Sequence, residues 1–228
     1  MKHIVIGDLH GRDNWQEIEI KDYDKIVFIG DYCDSSELSD FAILENIKNI
    51  ISLKKRHPDK VVLLLGNHDI HYLHFPRYQC SGFRPSMQRD LTALFQKNAD
   101  LFRIAYQKNN YLFMHAGVTN NWYDEIMRSP VIKEICGQEE NLAGQLNRLE
   151  RTVHRGLLYD AGLERGGYGY GGPLWADIKE SFTDMLNGYH QVVGHNRVDE
   201  IRTISYTNRS MTYTDVLTTK VEFYEIDI

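Results

Sequence analysis

Cysteine is scarce in this chain. There are three in 228 residues, Cys33, Cys80 and Cys136, odd in number and without a C-x-x-C pair. That spacing excludes a disulfide framework, suggests no cysteine-based structural zinc site, and fits a reducing compartment. Long apolar runs are missing too, and nothing approaches the roughly 20 residues a membrane-spanning helix needs. The run after Met1-Lys2-His3 is interrupted at Gly7 and Asp8, too soon for a signal peptide, so a cytoplasmic protein is expected. Positive charge is in deficit, with 26 Lys and Arg against 32 Asp and Glu and a net charge of -6. This excludes a large basic surface for nucleic acid but leaves room for a local basic pocket. Neither a Pro- or Ser-rich linker nor an internal repeat divides the chain, so residues 1–228 are expected to form one domain.

Against these absences stand ordinary globular content, 42% hydrophobic and 25% charged, and ten histidines. Residues 3–6, 25–29 and 61–65 read as buried strands, the last from five consecutive Val and Leu residues. Residues 38–56 carry Phe41, Leu44, Ile47 and Ile51 at helical spacing, with Pro58 beyond the end. The pattern is βαβαβ, a sheet with helices packed on it. A helix over 86–98, strands at 111–114 and 191–193, and a closing two-strand hairpin over 211–228 follow. Lys54, Lys55 and Arg56 fall in the last turn of a helix, where cations complement the dipole. Residues 166–172 hold five glycines and two tyrosines, the composition of a flexible surface loop or of a lid over a substrate.

The strand candidates end alike. Gly7 runs into Asp8-Leu9-His10-Gly11, Gly30 into Asp31-Tyr32-Cys33-Asp34, and Gly66 into Asn67-His68-Asp69. Met114 runs into His115-Ala116-Gly117, and Gly194 into His195-Asn196-Arg197. Ligands of open α/β sheets bind beyond the carboxyl ends of strands. Converging ends would therefore bring Asp8, His10, Asp31, Asn67, His115 and His195 together. Carboxylates, imidazoles and one amide oxygen without a thiolate suit transition-metal ions rather than structural zinc. Six donors are too many for one tetrahedral ion but suit two ions sharing a carboxylate, about 3.5–4 Å apart, as used in displacement at phosphorus.

Together these motifs, in this order from residue 3 to about 227, resemble the calcineurin-like metallophosphoesterase superfamily. The resemblance implies an α/β (α+β) fold, a two-sheet β-sandwich flanked by helices in four layers. It implies a metal-dependent phosphoric ester hydrolase with one ion held by Asp8, His10 and Asp31, and a second by Asp31, Asn67, His115 and His195. By the same resemblance Asp31 would bridge the ions, and a hydroxide shared between them would be expected to attack phosphorus. By the same pattern His68 is the general acid, oriented by Asp34. Mixed nitrogen and oxygen donors take Mn²⁺ foremost, and also Fe, Zn, Ni or Co.

Phosphate oxygens need cations as well. The Ser/Thr protein phosphatase branch carries Arg where this chain has Ser35 and Leu65, and Glu where it has Asp69. Arg12 and Arg197 follow donor motifs closely, and either clamp phosphate with Asn67 or are surface charges. The run from Gly66 to Leu73 resembles the third motif of the diadenosine tetraphosphatases. Three activities therefore stand open: phosphate ester hydrolysis, pyrophosphate hydrolysis and protein dephosphorylation. The substrate would be a phosphorylated small molecule, a nucleotide or a phosphopeptide. A non-catalytic metal-binding scaffold on the same fold is the alternative, although every donor position is filled. His71 and His74 follow His68 at intervals of three, a spacing that helical packing alone explains. Residues 76–85 and 137–175 are expected to shape the pocket.

Overall fold

The computed structural model describes residues 1–228. Its first sheet is built on β1 (Lys2–Ile6), β2 (Lys25–Phe28) and β3 (Val61–Leu64), short runs whose side chains are almost all buried. They pair in parallel, Ile4 opposite Ile26 and Val27 opposite Val62. Parallel strands need crossovers, and the second one holds α1 (Asp40–Arg56). Ser39 caps α1, its side chain accepting from Ala42 N at 3.2 Å, and Ile43, Ile47, Ile50 and Ile51 are buried. Phe41, expected on the apolar face, is instead 75% exposed. The buried stripe starts two residues later than the Phe41 reading puts it.

The first crossover departs from the expected βαβαβ pattern. No α-helix joins β1 to β2; two 3-10 turns at Asn14–Glu17 and Ile20–Asp22 do so. Buried Trp15 fastens this segment, donating from Nε1 to Asn46 Oδ1 of α1 at 2.8 Å. Directly after β3 comes α2 (Asn67–Leu73), and α3 (Gln88–Lys97) packs against it before β4 (Phe102–Arg103) extends the sheet.

The second sheet contains β5 (Ala105–Lys108), β6 (Tyr111–Met114), β7 (His190–Val193), β8 (Arg202–Tyr206) and β9 (Arg209–Tyr213) in the order β5-β6-β7-β9-β8. Between β6 and β7 lie α4 (Asn120–Trp122), α5 (Pro130–Cys136), α6 (Leu142–Glu150) and α7 (Ile178–Thr183). The closing hairpin expected over 211–228 does not form. β9 pairs with β8 and β7, while β10 (Tyr224–Asp227) crosses to the first sheet and runs antiparallel to β1. The hairpin that does form turns at Thr207-Asn208, and β8 is too exposed to carry an apolar signal.

Val5, Val27, Ile29 and Leu64 of the first sheet make one cluster with Phe113 and Val192 of the second. A larger core of 45 buried residues contains the alternate side chains, including Ile6, Phe28, Leu63, Met114 and Met211, and the buried faces of the helices. Each sheet is thus covered on both faces. The result is the expected α/β sandwich of two sheets flanked by helices.

Candidate metal centre

Five strand ends from two sheets meet at one cavity of about 390 Å³, lined by Asp8, His10, Arg12, Asp31, Asp34, Asn67, His68, His195 and Arg197 among others. His115 lies just beneath, fully buried. A sixth strand end joins them. Asp215, two residues beyond β9, lines the same cavity and is 2% exposed. Reading 211–228 as one hairpin hid that residue.

Tight turns bring these side chains inward. Six non-glycine residues have positive φ, and four of them are here: His10 (44°), Asp31 (52°), Asp34 (63°) and His195 (62°). Such backbone costs about 1–2 kcal/mol per residue and tends to collect at functional sites. Close approach explains two of the glycines. A Cβ on Gly66 would lie 2.0 Å from Asp31 Oδ1, and one on Gly194 would lie 1.9 Å from Asp8 Oδ1.

Hydrogen bonds orient each group. Backbone carbonyls only accept, so His10 Nδ1 donates to Cys33 O at 2.8 Å and His115 Nδ1 to Ile29 O at 3.2 Å. Both rings then present the Nε2 lone pair to Asp31 Oδ2, at 3.7 Å from His10 and 3.4 Å from His115. Asn67 Oδ1 lies 2.9 Å from His115 Nε2 and 3.0 Å from His195 Nδ1. Asp31 Oδ1 accepts from His68 N at 3.1 Å, and Asp8 takes His195 N on both oxygens at 3.1 and 3.0 Å.

These neighbours are mostly acceptors facing acceptors. A proton or a cation must lie among them. Burial pushes Asp8 well up, helped by Asp215 and Asp31. Burial also lifts Asp69 to about 7 and Asp215 to about 6, with the Asp31 charge adding to both. For Asp31 burial acts in the same direction, but His115, His68 and His10 outweigh it and hold the carboxyl well below its usual range. His115 is raised to about 9 against burial, by Asp31 and Asp8. His195 Nε2 and Asp215 Oδ1 are buried without any partner. Asp8, Asp31 and His115 offer donor atoms within 4.8 Å of one another. Oxygen and nitrogen donors around a charge deficit are a setting that fits divalent ions.

His68 and Asp34 sit at the rim. His68 Nδ1 is 2.9 Å from Asp34 Oδ2, and Asp34 also accepts from Tyr72 OH at 2.5 Å. Arg84 N donates to Tyr72 OH at 2.9 Å, fixing it in turn. Burial opposes charge on His68, yet Asp31 and the bond to Asp34 push it up to about 12. Tyr72 lies four residues after His68, on the same face of α2, a spacing the sequence held unread. Asp69 is a further brace: its carboxylate accepts from Asp31 N and Gly66 N at 2.8 Å and from Tyr32 N at 2.9 Å, tying two strand ends together.

Among the cations, Arg12 is engaged by Glu37 at 3.1 Å, whereas Arg197 lines the cavity without an ion-pair partner. Arg165, not singled out in the sequence, lines it as well. It is held by Asp177 Oδ2 at 2.7 Å and donates to Asn196 Oδ1 at 2.6 Å. The glycine-rich segment after it is internally bonded rather than loose, with Leu163 N donating to Gly169 O and Tyr168 N to Ala161 O at 3.2 Å each. Ser81, Gly82 and Trp175 also line the cavity, so the two segments expected to shape it do contribute. His71 stacks on Phe83 with centroids 4.2 Å apart, and His74 is 3.2 Å from Glu150 Oε1, so both pack away from the cavity.

The pattern of the calcineurin-like phosphoesterases matches residues 1–213, and the chain belongs to that family. It is similar to the serine/threonine-protein phosphatase 4 catalytic subunit of Eremothecium gossypii, with 22% identity over 203 residues. The match covers 86% of this chain and 56% of the relative, so the chain spans just over half the relative's length. The solved structure of the cold-active protein-tyrosine phosphatase of a psychrophilic Shewanella species has a similar fold, with a TM-score of 0.58 at 16% identity. That likeness covers 96% of this chain and 72% of the other. No helix is long and apolar enough to cross a membrane.

Proposed function

We propose that the protein hydrolyses phosphate esters with the help of two divalent cations. The observation that carries this reading is the convergence of Asp8, His10, Asp31, Asn67 and His195 on one cavity, with His115 buried against Asp31 and Asn67, where His195 Nε2 and Asp215 Oδ1 are buried without a partner. One ion would be held by Asp8, His10 and Asp31 and the other by Asp31, Asn67, His115 and His195. Bound there, the pair would supply Lewis acidity and a water activated for attack at phosphorus.

The remaining work falls to the chain itself. His68 donates a proton to the departing oxygen, and Asp34 both holds the ring and stabilises its charged form. Tyr72 and the backbone of Arg84 keep Asp34 from turning away. Arg165 and Arg197 balance the charge of the phosphoryl oxygens, with Arg165 already braced for that task. The cavity is polar, with a single hydrophobic residue among the 18 that line it, which suits a phosphorylated ligand better than an apolar one.

The test is hydrolysis of para-nitrophenyl phosphate by Mn²⁺-loaded protein, with and without chelator, beside a metal analysis. Asp31→Asn should abolish turnover and lower metal content. His68→Asn should cut turnover by about 10²–10⁴-fold and leave the metal bound. Loaded protein that hydrolyses neither this ester, its bis ester nor any nucleotide would overturn the enzymatic reading.

A further inference from the structure

Cys80 lies where a surface loop folds back on α2. Its thiol sulfur, a ring nitrogen of His68 and a carboxylate oxygen of Asp34 all lie within 4.8 Å of one another. The loop is seated firmly. Cys80 N donates to His71 Nδ1 at 3.1 Å, and a Cβ on neighbouring Gly82 would touch His68 Cε1 at 3.4 Å. His71 is only 2% exposed, and its Nδ1 stands 3.6 Å from the Cys80 sulfur, a base beside the thiol. Because that Nδ1 accepts from a backbone N–H, the ring proton is on Nε2, which is buried with no partner.

We propose that Asp34, His68 and Cys80 form a third metal site, distinct from the six-donor centre, that takes a thiophilic divalent ion such as Zn²⁺ and silences His68. One sulfur, one nitrogen and one oxygen, with a fourth position open to water, is a donor set zinc accepts readily. The thiolate separates this site from its neighbour, whose donors are nitrogen and oxygen only. Binding releases the Cys80 thiol proton and displaces the proton between His68 and Asp34. The ion then occupies the ring lone pair and the carboxylate that orient His68. Ions that fill the main centre would therefore permit turnover, and a thiophilic ion at higher occupancy would stop it. That consequence rests on His68 as proton donor; the existence of the site does not.

Cobalt titration of Mn²⁺-loaded protein tests it. A thiolate bound to Co²⁺ gives a sulfur-to-metal charge-transfer band in the near ultraviolet, which nitrogen and oxygen donors do not. The band should saturate at one equivalent, disappear on adding Zn²⁺, and be absent in Cys80→Ser. In the same variant the Zn²⁺ concentration that halves hydrolysis should rise by at least about tenfold, with activity in Mn²⁺ alone unchanged. In the wild type, Zn²⁺ should protect Cys80 from iodoacetamide, read by peptide mass mapping. No band in the wild type, or a band that survives Cys80→Ser, overturns the site. A band without inhibition keeps the site and removes His68 from proton donation.

Discussion

Asp31 shows at one residue what the cavity demands. It adopts a left-handed turn, takes His68 N on one oxygen, and faces the imidazoles of His10 and His115 with the other. Its neighbours were legible as a set because each lies within four residues of the end of a buried strand. Arg165 was not, since its place in the cavity depends on how a glycine-rich loop folds and on partners at Asp177 and Asn196. The two kinds of arginine should behave differently. Losing a charge-assisted hydrogen bond costs about 1.5–3 kcal/mol, so Arg165→Ala should raise KM by about 10- to 100-fold and weaken inhibition by inorganic phosphate, with a smaller change in kcat. Arg12→Ala should change KM by less than about threefold, because its partner Glu37 lines the cavity beside it and offsets its charge there, whereas Asp177, the partner of Arg165, does not line the cavity. Equal effects in steady-state kinetics would put Arg12 on the substrate too.

At the level of elements, runs buried on both faces were readable and half-exposed ones were not. β3 and β6 announce themselves through consecutive apolar residues, whereas β8 has four of five residues exposed and no run to find. The first crossover misled for another reason: a few local turns, nailed down by Trp15, do the job of a helix. His3 makes a link between elements that can be measured. Lying on β1 of the first sheet, it stacks on Phe113 of the second, centroids 5.9 Å apart, and meets Tyr106 OH at 3.2 Å. Burial lowers its pKa. A histidine held below its unfolded value of about 6.5 contributes stability above that pH and loses it as pH falls through the folded value. Metal-loaded protein should therefore weaken below about pH 6.5. His3→Phe, which keeps the stack, should make that slope shallower by at most about 1.4 kcal/mol per pH unit. Chemical denaturation at several pH values reads the difference, and parallel slopes would show that His3 is not buried neutral.

Across the whole molecule, the proposed donors are divided between the sheets: Asp8, His10, Asp31 and Asn67 follow strands of the first, His115 and His195 strands of the second. Six buried apolar side chains and the stack of His3 on Phe113 join those sheets, and ions held between them would add a further clamp on the sandwich. An ion at 100 times its dissociation constant stabilises by about 2.7 kcal/mol, equivalent to about 5–10 °C in a chain of this size. Calorimetry should show a Tm lowered by that amount in chelator and restored by Mn²⁺. An unchanged Tm would mean that the sheets hold without the ions. The pairing of β10 with β1, His3 opposite Ile226, bears on how the molecule is made. Closing a loop of that length is slow, and until it happens β1 presents a hydrophobic strand with one edge unpaired. Newly made chains would then carry a sticky edge until β10 docks, so refolding yield should fall as protein concentration rises, and a yield independent of concentration would show that the edge is covered in another way.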